Sequence, residues 1–144
     1  MAAQRGLDRS RTILLTDSST MMPSRFAEAI GMVPLRLNKE WPGYILNTLL
    51  IPWFTAALTL AAEGVSDPAT IDETRVLDTG ADLGQTPFHK LDKVGLPLAY
   101  TIFNNDPRAS QEGTTQYKIA QYLKGYIDAG KTGIAVGEGF YKYE

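Results

Sequence analysis

The stretch YILNTLLIPWFTAALTLAA, Tyr44 to Ala62, decides the fold class because it runs for 19 residues without a charge. Apolar residues cover its whole circumference rather than one stripe, which predicts a core helix buried on all sides. Its length also approaches that of a membrane span. Two observations argue against a membrane span. No cluster of Lys or Arg flanks the segment, and its apolar run is interrupted by four polar residues and a proline: Asn47, Thr48, Thr55, Thr59 and Pro52. We therefore predict no membrane, and expect a partner subunit to cover the helix.

Helix signals continue through the rest of the chain. The segment SDPATIDETRVLDTG has Ser66 or Asp67 as N-cap, Pro68 at the first position and Gly80 after the end, which predicts a second helix. TPFHKLDKVGLPLAYTIFNN predicts one short helix before Gly95 and another from about residue 96 to 104. NDPRASQEGTT is rich in turn formers and predicts a loop. QYKIAQYLKGYIDAGK has apolar residues at helical spacing and predicts an amphipathic helix.

Two short strands are predicted upstream of Tyr44. TILLT (Thr12–Thr16) indicates a buried strand, and MVPLRL (Met32–Leu37) a second one in which Pro34 favours an edge position. Between them, Pro23 is expected to open a short helix through Ile30. Two short strands without neighbours leave unpaired edges, so we expect them to pair across subunits or to be poorly ordered.

Composition excludes several classes of protein. The net charge is −2 and no run of five basic residues occurs, which argues against nucleic acid as a partner. The sequence contains no cysteine and a single histidine, His89, which leaves little room for a metal site. The apolar segment at the N-terminus is too short for a signal peptide, so a cytoplasmic location is expected.

One motif suggests a nucleotide site. GYIDAGKT, Gly125 to Thr132, matches the phosphate-loop pattern G-x-x-x-x-G-K-[ST]. That loop requires a strand before it and a helix after it, whereas this match begins inside a predicted helix and only 12 residues follow it. Gly130 and Lys131 suit a helix C-terminus instead. We therefore predict that the match is a coincidence, and no G-x-G-x-x-G occurs in the sequence.

Four further segments carry a family resemblance. PGYILNTLLIPWFTAALTLAAEGVSDPATID, PFHKLDKVGLPLAY and GKTGIAVGEGFYKY resemble, in order, the C-terminal part of L-3-hydroxyacyl-CoA dehydrogenases, and TILLTDSSTMMPS resembles a strand and loop near the end of their NAD-binding domain. The resemblance implies a helical dimerisation domain over residues 38–144, and a remnant of the NAD-binding domain over residues 1–37.

The resemblance also implies two site residues. Ser19 matches the family's active-site Ser, and Asn47 its active-site Asn, whereas Asp17 stands where the family usually has Asn. Without the resemblance, Ser19 reads as a turn hydroxyl and Asn47 as a capping or interhelical contact. No cofactor-binding residue and no metal ligand is assigned.

The chain departs from the family at its catalytic centre. The glycine-rich NAD motif is absent, and so is the His–Glu pair in which Glu orients a His base. Both catalytic residues would lie between SRFAEA and IGMVPL, which are joined directly at Ala27 to Ala29. Gln85 and Thr86 look inserted before Pro87. His89 is read as a surface residue of a short helix, because a base needs a positioned partner.

These observations predict a mainly α protein: a helical dimerisation domain of the 3-hydroxyacyl-CoA dehydrogenase type, preceded by a two-strand Rossmann remnant. The parent reaction is NAD-dependent oxidation of a short-chain 3-hydroxyacyl-CoA. We expect this chain to be inactive alone, to need no cofactor, and to act as a homodimer or higher oligomer through its helical domain. It would bind acyl-CoA only if its site were completed. The alternative is activity through a companion subunit that supplies the NAD site and the His–Glu pair.

Overall fold

The computed structural model describes residues 13–16, 29–31 and 33–144 of the chain. Two compact units are present, Met1–Leu50 and Ile51–Glu144. The short helix predicted from Pro23 lies almost wholly outside the described residues. The predicted domain boundary between residues 37 and 38 stays a prediction.

The first unit contains a parallel pair of strands, β1 (Ile13–Thr16) and β2 (Val33–Arg36). Their register runs from Ile13 opposite Val33 to Thr16 opposite Arg36. The two strands pair with each other within the chain, and in the described sheet each keeps one unpaired edge; the expectation that they pair across subunits or are poorly ordered stays a prediction. A parallel pair needs a connection of about a dozen residues or more, and 16 residues separate the two strands here. In the described sheet β2 is an edge strand, as Pro34 predicted.

Five α-helices follow, and they confirm the helical fold class. They are α1 (Tyr44–Ala62), α2 (Pro68–Thr79), α3 (Pro87–Val94), α4 (Leu96–Asn104) and α5 (Thr115–Asp128). Short 3₁₀ turns span Leu83–Gln85, Pro107–Ser110 and Ile134–Val136. The segment predicted as an irregular loop thus contains one 3₁₀ turn, which begins where the Asp106 side chain accepts a hydrogen bond from the Arg108 backbone N–H.

Helix ends lie where the sequence signals placed them. The Asp67 side chain accepts a hydrogen bond from the Thr70 backbone N–H at 3.0 Å, so Asp67 is the N-cap of α2. At the other end Gly80 has φ 64°, the left-handed conformation that favours glycine at a helix C-terminus. Helix α5 ends in the same way, with Gly130 at φ 77° just past its last turn. This confirms that GYIDAGKT crosses a helix end, where Gly125 belongs to α5 itself.

The core of the second unit lies between α1, α3, α4 and α5. Its fully buried apolar side chains are Leu58, Phe88, Leu91, Leu96, Ala99, Ile119, Ala120 and Leu123. On α5 the apolar spacing is confirmed, since Ile119 and Leu123 face this core. The core therefore joins residues that are far apart in the sequence, such as Leu58 and Leu123, which are 65 positions apart.

Helix α1 is not buried on all sides, and that prediction is wrong for the single chain. Only Phe54, Ala57, Leu58 and Ala61 are buried. Leu46, Leu49 and Leu60 are 50%, 66% and 40% exposed. The physical reason is that, among the described residues, too few elements pack against the helix to cover both of its apolar faces. By length and composition α1 would pass as a membrane span, but a soluble core helix passes the same test.

Candidate functional site

Of the two residues matched to the family's active site, the structure describes one. Ser19 lies outside the described residues, as does Asp17. Asn47 stands in the first turn of α1 and is exposed. Its backbone N–H donates to the Gly43 carbonyl at 3.2 Å, and Gly43 has φ 79°. The role of both residues stays a prediction.

The most connected polar group in the second unit is the carboxylate of Asp72 on α2, which is 1% exposed. It accepts hydrogen bonds from Thr86 Oγ1 at 2.7 Å and from Tyr141 OH at 2.9 Å. The backbone N–H groups of Phe88 and His89 donate to it at 3.1 and 3.3 Å. The ring of His89 adds Nδ1, 3.0 Å from Asp72 Oδ2. Five donors thus compensate the burial of this charge.

Two of these donors belong to the first turn of α3, where backbone N–H groups lack partners within the helix. The N-cap residue of α3, Thr86, makes no capping hydrogen bond with its side chain. Asp72 takes that role from the neighbouring helix and places its negative charge at the positive end of the α3 dipole. Thr86, which looked like an insertion in the sequence, is fully buried and forms part of this arrangement.

A second buried carboxylate, Asp92, stands in the last turns of α3 and is also 1% exposed. It accepts from the backbone N–H groups of Phe140 and Tyr141 at 2.9 and 3.0 Å, and from Tyr143 OH at 2.8 Å. A carboxylate near a helix C-terminus is unfavourable toward the helix dipole. These three donors from the C-terminal residues offset that placement.

The chain near its C-terminus approaches Asp92 so closely that side chains are excluded at two glycines. A Cβ atom on Gly139 would lie 2.1 Å from Asp92 Oδ1. A Cβ atom on Gly133, which has φ 124°, would lie 2.4 Å from the Asp92 backbone oxygen. Two glycines of the segment GKTGIAVGEGFYKY, Gly133 and Gly139, are thus explained by close packing against Asp92.

Tyr141 and Tyr143 keep their protons strongly in this setting. Burial raises the pKa of each phenol well above its ordinary value near 10, and the hydrogen bonds to the carboxylates of Asp72 and Asp92 raise it further. Both tyrosines therefore act as hydrogen-bond donors throughout the neutral range.

His89 is not the surface residue that the sequence indicated. Its side chain is 15% exposed, and its ring stacks on Tyr141 with centroids 4.0 Å apart. The bond to Asp72 requires the proton on Nδ1 and so fixes the tautomer. A carboxylate that orients an imidazole is also found in general-base pairs. Here, however, the same carboxylate serves four further donors that hold α3 and the C-terminal residues, which favours a structural role for His89.

The carboxylates and their partners escaped detection in the sequence because they are far apart in it. Asp72 and His89 are separated by 17 positions, and Asp92 and Tyr143 by 51. Each acid lies inside a segment of the resemblance, but an apolar residue before the acid is no signal, because Asp78 follows Leu77 and is 73% exposed.

A cavity of 480 Å³ lies beside α1, α4 and α5, with a mainly apolar lining: Ile51, Pro52, Thr55, Ala56, Ile102, Phe103, Asp106, Arg108, Gln116 and Ile119. The two charged residues of this lining, Asp106 and Arg108, pair with each other. Arg108 Nε and Nη2 donate hydrogen bonds to the Asp106 carboxylate at 3.0 and 2.6 Å. This pairing lowers the pKa of Asp106 to about 2. Among the described residues no group of three His, Asp or Glu side chains could hold a metal ion.

Comparison with known proteins places the helical part in one family. Residues 43–143 match the family described as 3-hydroxyacyl-CoA dehydrogenase, C-terminal domain. Among curated proteins, a probable 3-hydroxybutyryl-CoA dehydrogenase of Deinococcus radiodurans is 30% identical over 128 residues, which cover 89% of this chain and 44% of that protein. The chain thus spans less than half the length of this relative.

Solved structures agree with this match. A diketoreductase, studied for its substrate-directed dual catalysis of dicarbonyl compounds, is 44% identical with a TM-score of 0.75, over 91% of this chain and 46% of that one. The (S)-3-hydroxybutyryl-CoA dehydrogenase PaaH1 of Ralstonia eutropha is 25% identical with a TM-score of 0.61, over 84% of this chain and 41% of that one.

Proposed function

This chain belongs to the family of 3-hydroxyacyl-CoA dehydrogenase C-terminal domains, and we propose that it is a truncated member, inactive alone, that acts as a helical oligomer. The parent reaction is NAD-dependent oxidation of a short-chain 3-hydroxyacyl-CoA. The names of the Deinococcus and Ralstonia relatives support that parent chemistry. A cytoplasmic location, with neither nucleic acid nor membrane as a partner, completes the proposal.

The proposed inactivity rests on one observation: the side chain of His89 is packed into the hydrogen-bonded cluster around Asp72. His89 is the one histidine in the sequence. Its side chain is only 15% exposed and its ring stacks on Tyr141 with centroids 4.0 Å apart, while the carboxylate that holds its Nδ1 also anchors α3 and Tyr141. A histidine acting as the hydroxyl-oxidising base would have to face substrate and cofactor together. No other histidine is available to take the proton from the 3-hydroxyl.

The described residues do not fit NAD. A dinucleotide site needs a glycine-rich turn between a strand and a helix, where backbone N–H groups meet the pyrophosphate. The sequence contains no G-x-G-x-x-G, and Gly125 of the phosphate-loop match is an interior residue of α5. No hydride transfer is therefore assigned to this chain by itself.

A seam of side chains on α1 supports the proposed oligomer. Leu46, Leu49, Trp53, Ala56 and Leu60 follow each other at alternating intervals of three and four residues. Such spacing places them on one stripe and is typical of helices that pack against another helix. All but the half-buried Trp53 are exposed, whereas Phe54, Leu58 and Ala61 face the core. A second copy of α1 offers a matching apolar stripe.

Activity of the purified chain tests the first part of the proposal. We expect no NADH oxidation above background with acetoacetyl-CoA, and none with a small dicarbonyl compound of the kind that the diketoreductase comparison suggests. Turnover that purifies with the chain would contradict the proposal. His89→Ala would then show whether this histidine serves as the base.

The alternative, a companion subunit, is tested in the same assay. A separately produced NAD-binding domain of a family member, or a lysate of the source cells, is added to the chain at high concentration. Activity that needs both components would replace the proposed inactive oligomer with a two-chain enzyme. Activity from the added component alone leaves the proposal in place.

Sedimentation of the chain tests the oligomer. We expect Leu49→Lys to shift the population to monomer, because a charge would enter the apolar seam. Leu77→Lys is the matched control: Leu77 is 78% exposed on α2, outside the seam. A monomeric wild-type chain, or an equal effect of both substitutions, would argue against packing through α1.

A further inference from the structure

Helix α2 is attached to the second unit in an unusual way. Its one buried side chain is Asp72, a charged group. Its apolar residues stay near solvent: Leu77 is 78% exposed, and Ile71 and Val76 are half-buried. A helix of this kind gains little from apolar burial, so its attachment depends mainly on the hydrogen bonds of one carboxylate.

Residues 137–143 form what we call the C-terminal strap. The strap is held on α3 by Asp92, through the backbone N–H groups of Phe140 and Tyr141 and through the Tyr143 hydroxyl. It is also joined to α2, because Tyr141 OH lies 2.9 Å from Asp72 Oδ2 and 3.2 Å from the Pro68 carbonyl oxygen. Helix α2 and the strap therefore share a hydrogen-bonded junction.

Loss of either element leaves buried polar groups without hydrogen-bond partners. If the strap departs, Asp92 loses all three of its donors given above, and Asp72 loses the Tyr141 hydroxyl. If α2 departs, the first-turn N–H groups of α3 lose their acceptor and Tyr141 loses its own. A buried group left without its partner costs more than the bond itself contributed. Each element is therefore more stable in the presence of the other.

Helices α4 and α5 do not share this dependence. They contribute Leu96, Ala99 and Phe103, with Ile119, Ala120 and Leu123, to the apolar core. Local opening in proteins follows elements with few buried apolar contacts. We propose that α2 and the C-terminal strap form one conformational unit, a latch closed by the carboxylates of Asp72 and Asp92, which opens as a whole while α4 and α5 stay packed.

Hydrogen–deuterium exchange on two conservative variants tests the latch. Tyr141→Phe removes the hydroxyl that joins the strap to α2. Tyr143→Phe removes a hydroxyl that bonds to Asp92 on α3 and makes no hydrogen bond to α2 among those described. For both variants we expect exchange in residues 68–79 and 137–143 to rise by a common factor, about fivefold for one hydrogen bond. Exchange in residues 115–128 should stay unchanged.

The decisive comparison is the effect of Tyr143→Phe on α2. Faster exchange in the strap alone would overturn the latch, because the two elements would then open independently. Equal acceleration in α5 would also overturn it, since the whole unit would be unfolding together, and so would no change in either variant. Asp78→Asn is the control on α2: Asp78 is 73% exposed and pairs with Arg75, so no segment should change.

Discussion

Helix α1 gives the core four apolar side chains, Phe54, Ala57, Leu58 and Ala61, whereas α2 gives it the single carboxylate of Asp72. The two helices follow each other in the chain, yet one is held by burial of apolar surface and the other by hydrogen bonds to a charge. Apolar burial is non-directional and tolerates sliding. Hydrogen bonds to a buried carboxylate demand particular donors at particular distances, so α2 has one permitted position.

Replacement of a core side chain of α1 should have the largest effect. Leu58 is fully buried, so Leu58→Ala should lower the free energy of unfolding by about 2–5 kcal/mol through lost burial and a residual cavity. Leu49→Ala, on the exposed face of the same helix, should change it by less than about 0.5 kcal/mol in a monomer. Urea unfolding monitored by circular dichroism measures both. Similar losses for the two variants at low protein concentration would contradict this assignment of faces.

The polar anchoring is tested most directly at Gly139. A methyl group there would displace the Asp92 carboxylate from its donors, so Gly139→Ala should cost about 2–3 kcal/mol, the scale for a buried group left unsatisfied. Gly125→Ala is the control, because a Cβ at Gly125 meets nothing within 4 Å and alanine favours a helix interior by about 1 kcal/mol. The same urea titration should therefore move in opposite directions for the two glycines. Equal shifts would mean that the strap does not depend on Asp92.

Alkaline pH should weaken the region of α2 and the strap before it affects α1. The pKa values of Tyr141 and Tyr143 are raised in the folded state by burial and by their carboxylate partners. The unfolded chain releases these protons near pH 10 and the folded chain does not, so the stabilisation is complete below about pH 10 and is lost as the pH rises further. The urea midpoint should fall as the pH rises above about 10, and fall less in Tyr141→Phe. An equal fall in both proteins would assign the effect to other groups.

The smallest effect is expected at an exposed ion pair. Asp106 accepts three hydrogen bonds from Arg108, two from the guanidinium and one from the backbone N–H, and these lower the pKa of Asp106 to about 2. Any stabilisation would be present above the ordinary pKa of 3.8 and lost as the pH falls toward 2. Because both groups face solvent, screening removes most of it. Asp106→Asn should leave the thermal midpoint unchanged at pH 7, and a clear decrease would mean that exposed pairs matter here as buried carboxylates do.

The helices of this fold were predictable because their signals are local. Asp67, Gly80 and Gly130 each act within a few residues of a helix end. The extent to which α1 is buried was not predictable, because it depends on how many other elements pack against the helix. The hydrogen bonds of the two buried carboxylates were not predictable either, because no local sequence rule connects Asp72 with His89 or Asp92 with Tyr143. Ser19 and Asn47 rest on resemblance alone.

The cap that Asp72 provides for α3 also constrains how this sequence can change over generations. Position 72 and positions 86–89 are expected to accept substitutions jointly, because an uncharged residue at 72 would leave the start of α3 without an acceptor. A drifting lineage could regain fitness by placing a new acceptor at position 86, where Thr86 now acts as a donor. Correlated substitutions at position 72 and at positions 86–89 among family members would then reveal this contact.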